Sequence, residues 1–146
     1  MISKKIFAFL LLLNFSAFTQ AGPFTDRLSV CLVQNTSTPE KQVLLTWVYA
    51  AMSAHPKVYE MSNVTLEKGD EISKQMAEIF NELITVRCKD ETIEAFRYEG
   101  QATFEESFQV LGEVAMTELM TNNKVNSYME GFTKYLDTEA LENLFD

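Results

Sequence analysis

Cys31, Cys88, His55 and an abundance of carboxylates are the side chains to test first for chemistry. The two cysteines are separated by nearly sixty residues, whereas redox pairs usually stand about two residues apart. A zinc site needs about four ligands. His55, flanked by Ala54 and Pro56, is the only histidine and leaves any such set incomplete. Nucleophilic catalysis needs a base within reach, and a lone histidine before a proline reads instead as a surface residue at a helix end. No Gly-x-Ser-x-Gly elbow, glycine-rich phosphate loop or Cys-x-x-Cys-His haem attachment occurs. Glu67-Lys68-Gly69-Asp70-Glu71 lacks the alternating acids of a calcium loop. Glu105, Glu106 and Glu113, or Glu78 and Glu82, would work as an acid/base pair only across a shared cleft. Helical spacing places them outward or in first turns, where solvent and the helix dipole account for them. The sequence predicts a protein without catalytic residues, cofactor or metal.

Structural roles fit the cysteines better. Met1 to Lys5 is a short basic start, Ile6 to Leu13 an unbroken apolar run, and Thr19 and Ala21 a small-x-small site. That order predicts a secretory signal peptide over 1–21, cleaved after Ala21. The run is too short for the ~20 apolar residues that span a bilayer, and no second run follows, so no membrane anchor is expected after cleavage. In an oxidising compartment an isolated cysteine pair reads as one structural disulfide, Cys31–Cys88. The chain carries 12 Lys+Arg against 21 Asp+Glu, a net charge of −9, and removing Lys4 and Lys5 makes it −11. Such a surface repels phosphate, which excludes nucleic acid as a partner.

The elements that would position these residues are helices. Five Gly and three Pro in 146 residues are too few for a β-protein, which needs a turn every ~8–12 residues. A first helix over 24–34 places Phe24, Leu28, Cys31 and Leu32 on one stripe. Thr38-Pro39-Glu40, with Thr38 as N-cap, opens a second helix that Pro56 stops. It is apolar almost all round (Val43, Leu44, Leu45, Trp47, Val48, Tyr49), which predicts the central, most buried helix. A connection over 56–65 leads to a long helix over 66–87 with Ile72, Met76, Ile79, Phe80, Leu83 and Ile84 inward. A helix over 89–99 should turn Ile93, Phe96 and Tyr98 inward and end at Gly100. Thr103-Phe104-Glu105-Glu106 matches a capping box for a helix over 104–120, burying Phe108, Leu111, Val114, Ala115 and Leu119. Gly112 inside that helix suggests close contact with a neighbouring helix. Val125, Tyr128, Met129, Phe132 and Leu136 mark another helix, and Asp137 opens a last one with Leu141, Leu144 and Phe145. The expected fold is a single compact all-α bundle of six or seven helices over 22–146.

The aromatic residues could line a ligand cavity, but their helical spacing reads as packing. Asn35-Thr36-Ser37 and Asn63-Val64-Thr65 fit the glycosylation sequon, which matters only in a eukaryotic secretory pathway. The run from Leu45 to Pro56, with Tyr98-Glu99-Gly100, Ser107 to Gly112 and Lys134-Tyr135-Leu136, resembles a family of small exported helical proteins of Gram-negative bacteria. The resemblance implies a periplasmic protein linked to immunity against toxins delivered by a type IV secretion system. It rests on helix patterns and implies no site residues. A non-enzymatic binding protein is therefore expected, whose acidic surface would steer a basic toxic effector. The alternative is a secreted carrier of a small hydrophobic ligand.

Overall fold

The computed structural model describes residues 22–144, so the expected signal peptide over 1–21, its expected cleavage after Ala21, and Phe145 lie outside the described residues. Eight α-helices and no strand occur among the described residues: α1 Pro23–Asn35, α2 Thr38–Ser53, α3 Pro56–Tyr59, α4 Leu66–Glu82, α5 Lys89–Glu99, α6 Ala102–Met120, α7 Asn123–Glu130 and α8 Thr138–Glu142. The extra helix is α3, a single turn in the expected connection. His55 is its exposed N-cap, and Nδ1 accepts from the Lys57 amide at 3.2 Å.

The all-α bundle is as expected, but its centre is not. The fully buried leucines Leu28 and Leu32 belong to α1, which lies against α5 and α6. On α2 only Leu44 and Ser53 are buried, and Trp47, Tyr49 and Met52 are exposed. The helix packs on α4 and α6 along one side and turns its other apolar side to solvent. Ile93, Phe96 and Tyr98 of α5 are likewise exposed, because the position facing the core is the small Ala95. The rings gather at the helix flanks instead, Tyr98 stacked on Phe24 at 4.5 Å and Phe96 beside Phe104 at 5.9 Å. Buried positions on α4 are the expected Ile72 and Met76, followed by Leu83. Gly100 ends α5 with φ +84°, a conformation open to glycine.

Two caps differ from expectation. Ser37, not Thr38, caps α2, and its amide and hydroxyl donate to the Glu40 carboxylate at 2.8 and 2.7 Å. Glu40 is thus three residues past the cap, the spacing of a capping box. Thr103 caps nothing: it lies inside α6, and its hydroxyl is hydrogen-bonded to that of Thr25 in the core. A buried hydroxyl partner outcompetes the solvent-exposed cap.

A covalent and ionic joint holds the helix ends together. Cys31 and Cys88 form a disulfide, with Cα atoms 5.9 Å apart. Residues Leu83–Arg87 continue α4 as a π-helical turn, and Cys88 breaks the helix there. Arg87 donates to the Asn35 carbonyl at 2.7 Å, to both Glu40 oxygens at 3.0 and 2.8 Å, and to Glu82 at 3.1 Å. Hydrogen bonding from Arg87, opposed by burial and aided by Ser37, holds the Glu40 carboxyl down at about 2. Glu40 and Glu82 in turn push Arg87 further up.

The C-terminal segment was expected to pack and does not. Tyr128, Met129, Phe132, Tyr135 and Leu136 are exposed, and no residue of α7 or of the 3-10 turn Gly131–Tyr135 is buried. Their apolar spacing is helical, but among the described residues α6 is the one α-helix that α7 meets. Asp137 does cap α8, its carboxylate accepting from the Ala140 amide at 3.0 Å.

Candidate binding groove

Along the side of α2 that meets α4 and α6, the three helices enclose a groove. Leu44, Trp47 and Val48 come from α2, Ser73, Met76, Ala77 and Phe80 from α4, and Phe108 and Gly112 from α6. The intervals are three, four and seven residues, so one stripe of each helix supplies a wall. The groove encloses about 710 Å³ and its lining is overwhelmingly apolar. Phe80 and Phe108 stack at 4.5 Å and tie α4 to α6 beside it. Ser73, Ala77 and Gly112 are the small members of a lining otherwise made of large apolar side chains.

Gly112 does not serve the close helix contact that its position suggested. A Cβ there would meet nothing within 4 Å. Glycine in a helix interior costs ~1 kcal/mol relative to alanine, and no packing among the described residues recovers it. The groove continues past Trp47 and Ser73 into a smaller hollow of about 320 Å³ bordered by Ala51, Tyr59, Leu66 and Asp70. From Leu66 to Phe80 along α4 the trough is about 21 Å long at the helical rise of ~1.5 Å per residue.

The floor of the trough carries no charged side chain, and one end is bordered by an ion pair. Asp70 borders the hollow and pairs with Lys74 at 2.7 Å, a contact that raises the Lys74 pKa. The carboxylates held below their usual range, Glu40 and Glu99, both accept hydrogen bonds that join helices or cap them. At Glu99 burial pushes upward, but the Thr25 hydroxyl, the Phe24 and Thr25 amides and the Arg27 charge prevail.

None of Glu78, Glu82, Glu105, Glu106 and Glu113 lines the groove. Glu82 is spent on Arg87, and Glu113 accepts from Gln109 at 3.1 Å. Among the described residues no group of three His, Cys, Asp or Glu stands ready to hold a metal, and no helix is long and apolar enough to cross a membrane. Sequence reasoning named every apolar groove residue as core or left it unassigned. The usable signals were an α2 with more apolar side chains than one packed face needs, and a glycine inside α6.

No protein-family model, curated protein or solved structure matches this chain.

Proposed function

We propose that the protein is an exported, non-enzymatic binding protein that masks a basic partner protein by seating one of the partner's amphipathic helices in the α2/α4/α6 groove. The observation that carries this reading is the open apolar groove with Gly112 in its wall, a helix-weakening residue facing space that no described residue fills. A trough about 21 Å long accommodates some fourteen residues of helix at ~1.5 Å each. The net charge of −11 left after signal removal favours a basic partner and speeds its encounter. The sequence resemblance to periplasmic immunity proteins supplies the class of partner, a toxic effector delivered by a type IV secretion system. Inhibition by masking needs shape and charge, and no reacting groups.

Trp47 is the single tryptophan and lines the groove, so its fluorescence reports occupancy directly. Titration with effectors encoded in neighbouring genes should shift the emission to the blue, yield a 1:1 complex and protect sensitive cells. Gly112→Leu should abolish all three effects while leaving the protein folded. Binding that Gly112→Leu leaves intact would remove the groove from the reading, and the absence of any bound effector would remove the masking function.

The volume of the groove also suits a small apolar ligand, since such pockets run from ~300 to ~1,000 Å³. Native mass spectrometry showing a co-purifying lipid released by Gly112→Leu would favour a hydrophobic carrier instead.

A further inference from the structure

The start of α1 is built around one carboxylate. Glu99, at the end of α5, accepts from the Phe24 amide at 2.9 Å, the Thr25 amide at 2.8 Å and the Thr25 hydroxyl at 2.6 Å. Gly22 is the N-cap of α1, and a Cβ added to it would fall on the Glu99 carboxylate itself. The Gly22 Cα is therefore in contact with that carboxylate, and its nitrogen, one bond of ~1.46 Å away, lies within roughly 5 Å of it. Among the described residues no Lys or Arg is hydrogen-bonded to Glu99, and Arg27 is engaged by Glu94 at 2.7 Å. Thr19-Gln20-Ala21, a small-x-small site, immediately precedes this glycine.

We propose that hydrolysis of the Ala21–Gly22 peptide bond during export frees an α-ammonium on Gly22 that pairs with the Glu99 carboxylate, so that processing completes the joint between α1 and α5. In the step, water adds across the C–N bond under catalysis by a leader peptidase. Ala21 leaves as a carboxylate, and Gly22 retains an amine that takes up a proton. Only glycine admits the carboxylate this close, which ties the residue after the cleavage site to the folded product. The proposal rests on the export half of the reading above and is independent of the groove.

Opposite charges within ~4–6 Å favour the charged forms of both groups. The charged groups near this end are Asp26 and Arg27 on α1, Glu94 and Glu99 on α5, and Glu105 and Glu106 on the opening turns of α6, and α6 also brings the neutral hydroxyls of Thr103 and Ser107. A raised folded-state amine pKa gives stability that is complete below ~8, the ordinary α-amine value, and is lost as pH rises through the raised value.

The test is the full chain expressed in a Gram-negative host and purified from the periplasm. Intact mass should place the N-terminus at Gly22. NMR titration of the 13C-methylated α-amine should show a midpoint at least about one unit above ~8 in the folded protein and an ordinary one after unfolding. Selective acetylation of the α-amine should lower Tm and remove the alkaline step, and Glu99→Gln should return the amine to its ordinary value. Should Glu99→Gln fail to fold, the acetylated wild-type protein carries the comparison. A different terminus, or an ordinary amine midpoint in folded wild type, overturns the proposal. Unprocessed protein retained in the cytoplasm defeats the export reading itself, whereas a Gly22 terminus with an ordinary amine defeats the ion pair alone.

Discussion

Replacing Gly112 by alanine should make the free protein more stable and its complex weaker. Gly112 sits in the interior of α6, eight residues from its end at Met120, where alanine is preferred over glycine by ~1 kcal/mol. Packing adds no opposing cost, because the new Cβ would meet no heavy atom within 4 Å. A domain of this size unfolds with an entropy of about 0.26 kcal/mol/K, so ~1 kcal/mol raises Tm by about 4 °C. Gly112→Leu extends the same logic: the side chain should enter the groove that Gly112 and Trp47 both line, without displacing a core side chain. Differential scanning calorimetry and Trp47 emission, each with and without partner, check both variants. The expected pattern is a higher Tm for alanine, a folded leucine variant with bluer emission, and partner affinity falling from glycine to alanine to leucine. An alanine variant of lower Tm, or an unfolded leucine variant, would refute the reasoning, because the space beside Gly112 would then be filled in solution.

Three further perturbations probe the frame around the groove. Glu40, held at about 2 by Arg87, contributes stability that is complete above the ordinary 4.5 and lost as pH falls through 2. Arg87→Met should cost about 1–2 kcal/mol at pH 7 after allowance for solvent screening. In urea melts its deficit against wild type should narrow below pH 4.5, and a constant deficit would place the effect elsewhere. Replacing both Cys31 and Cys88 by alanine opens a closed loop of 57 residues and should cost ~4 kcal/mol in urea unfolding. A loss below ~1 kcal/mol would mean that α1 is held by packing alone. Truncation after Asn122 removes a stretch in which no described residue is buried, so stability should stay within ~1 kcal/mol by the same assay. A larger loss would show that this segment folds back onto the bundle.

The sequence made helix existence legible and helix environment only partly so. Pro23, Pro39, Pro56 and Gly100 punctuate the chain where helices begin or end, and a proline or a positive-φ glycine acts on the backbone within a residue or two. The disulfide was readable because no third or fourth ligand competed for Cys31 and Cys88. Burial depends instead on which helices meet, and periodicity does not encode that. Ala95 faces the core because a small residue suits α5 against α1, while Phe96 and Tyr98, with stronger apolar character, are displaced to the flanks. Thr103 carried a good capping signal, yet Thr25, 78 residues away, claimed its hydroxyl. Long-range partners of this kind leave no local trace, and the groove is the same case on a larger scale.

Apolar surface left outside the core is of two physical kinds in this protein. On α7 and the turn after it, Tyr128, Phe132 and Tyr135 are exposed on a segment that, among the described residues, meets the bundle at α6, so any partner must fix these side chains as it binds and must offset the entropy of doing so. In the groove, Met76 is buried and Phe80 and Phe108 are stacked on each other between α4 and α6, while Trp47 is partly exposed. A rigid concave wall loses little freedom on binding, and its hydrophobic gain is retained nearly in full. Equal areas on the two surfaces would therefore not give equal affinity. The excess of apolar residues on α2, read from the sequence as the mark of a central helix, divides between one side that meets α4 and α6, where Leu44 enters the core and Trp47 and Val48 line the groove, and exposed positions such as Tyr49 and Met52 outside it.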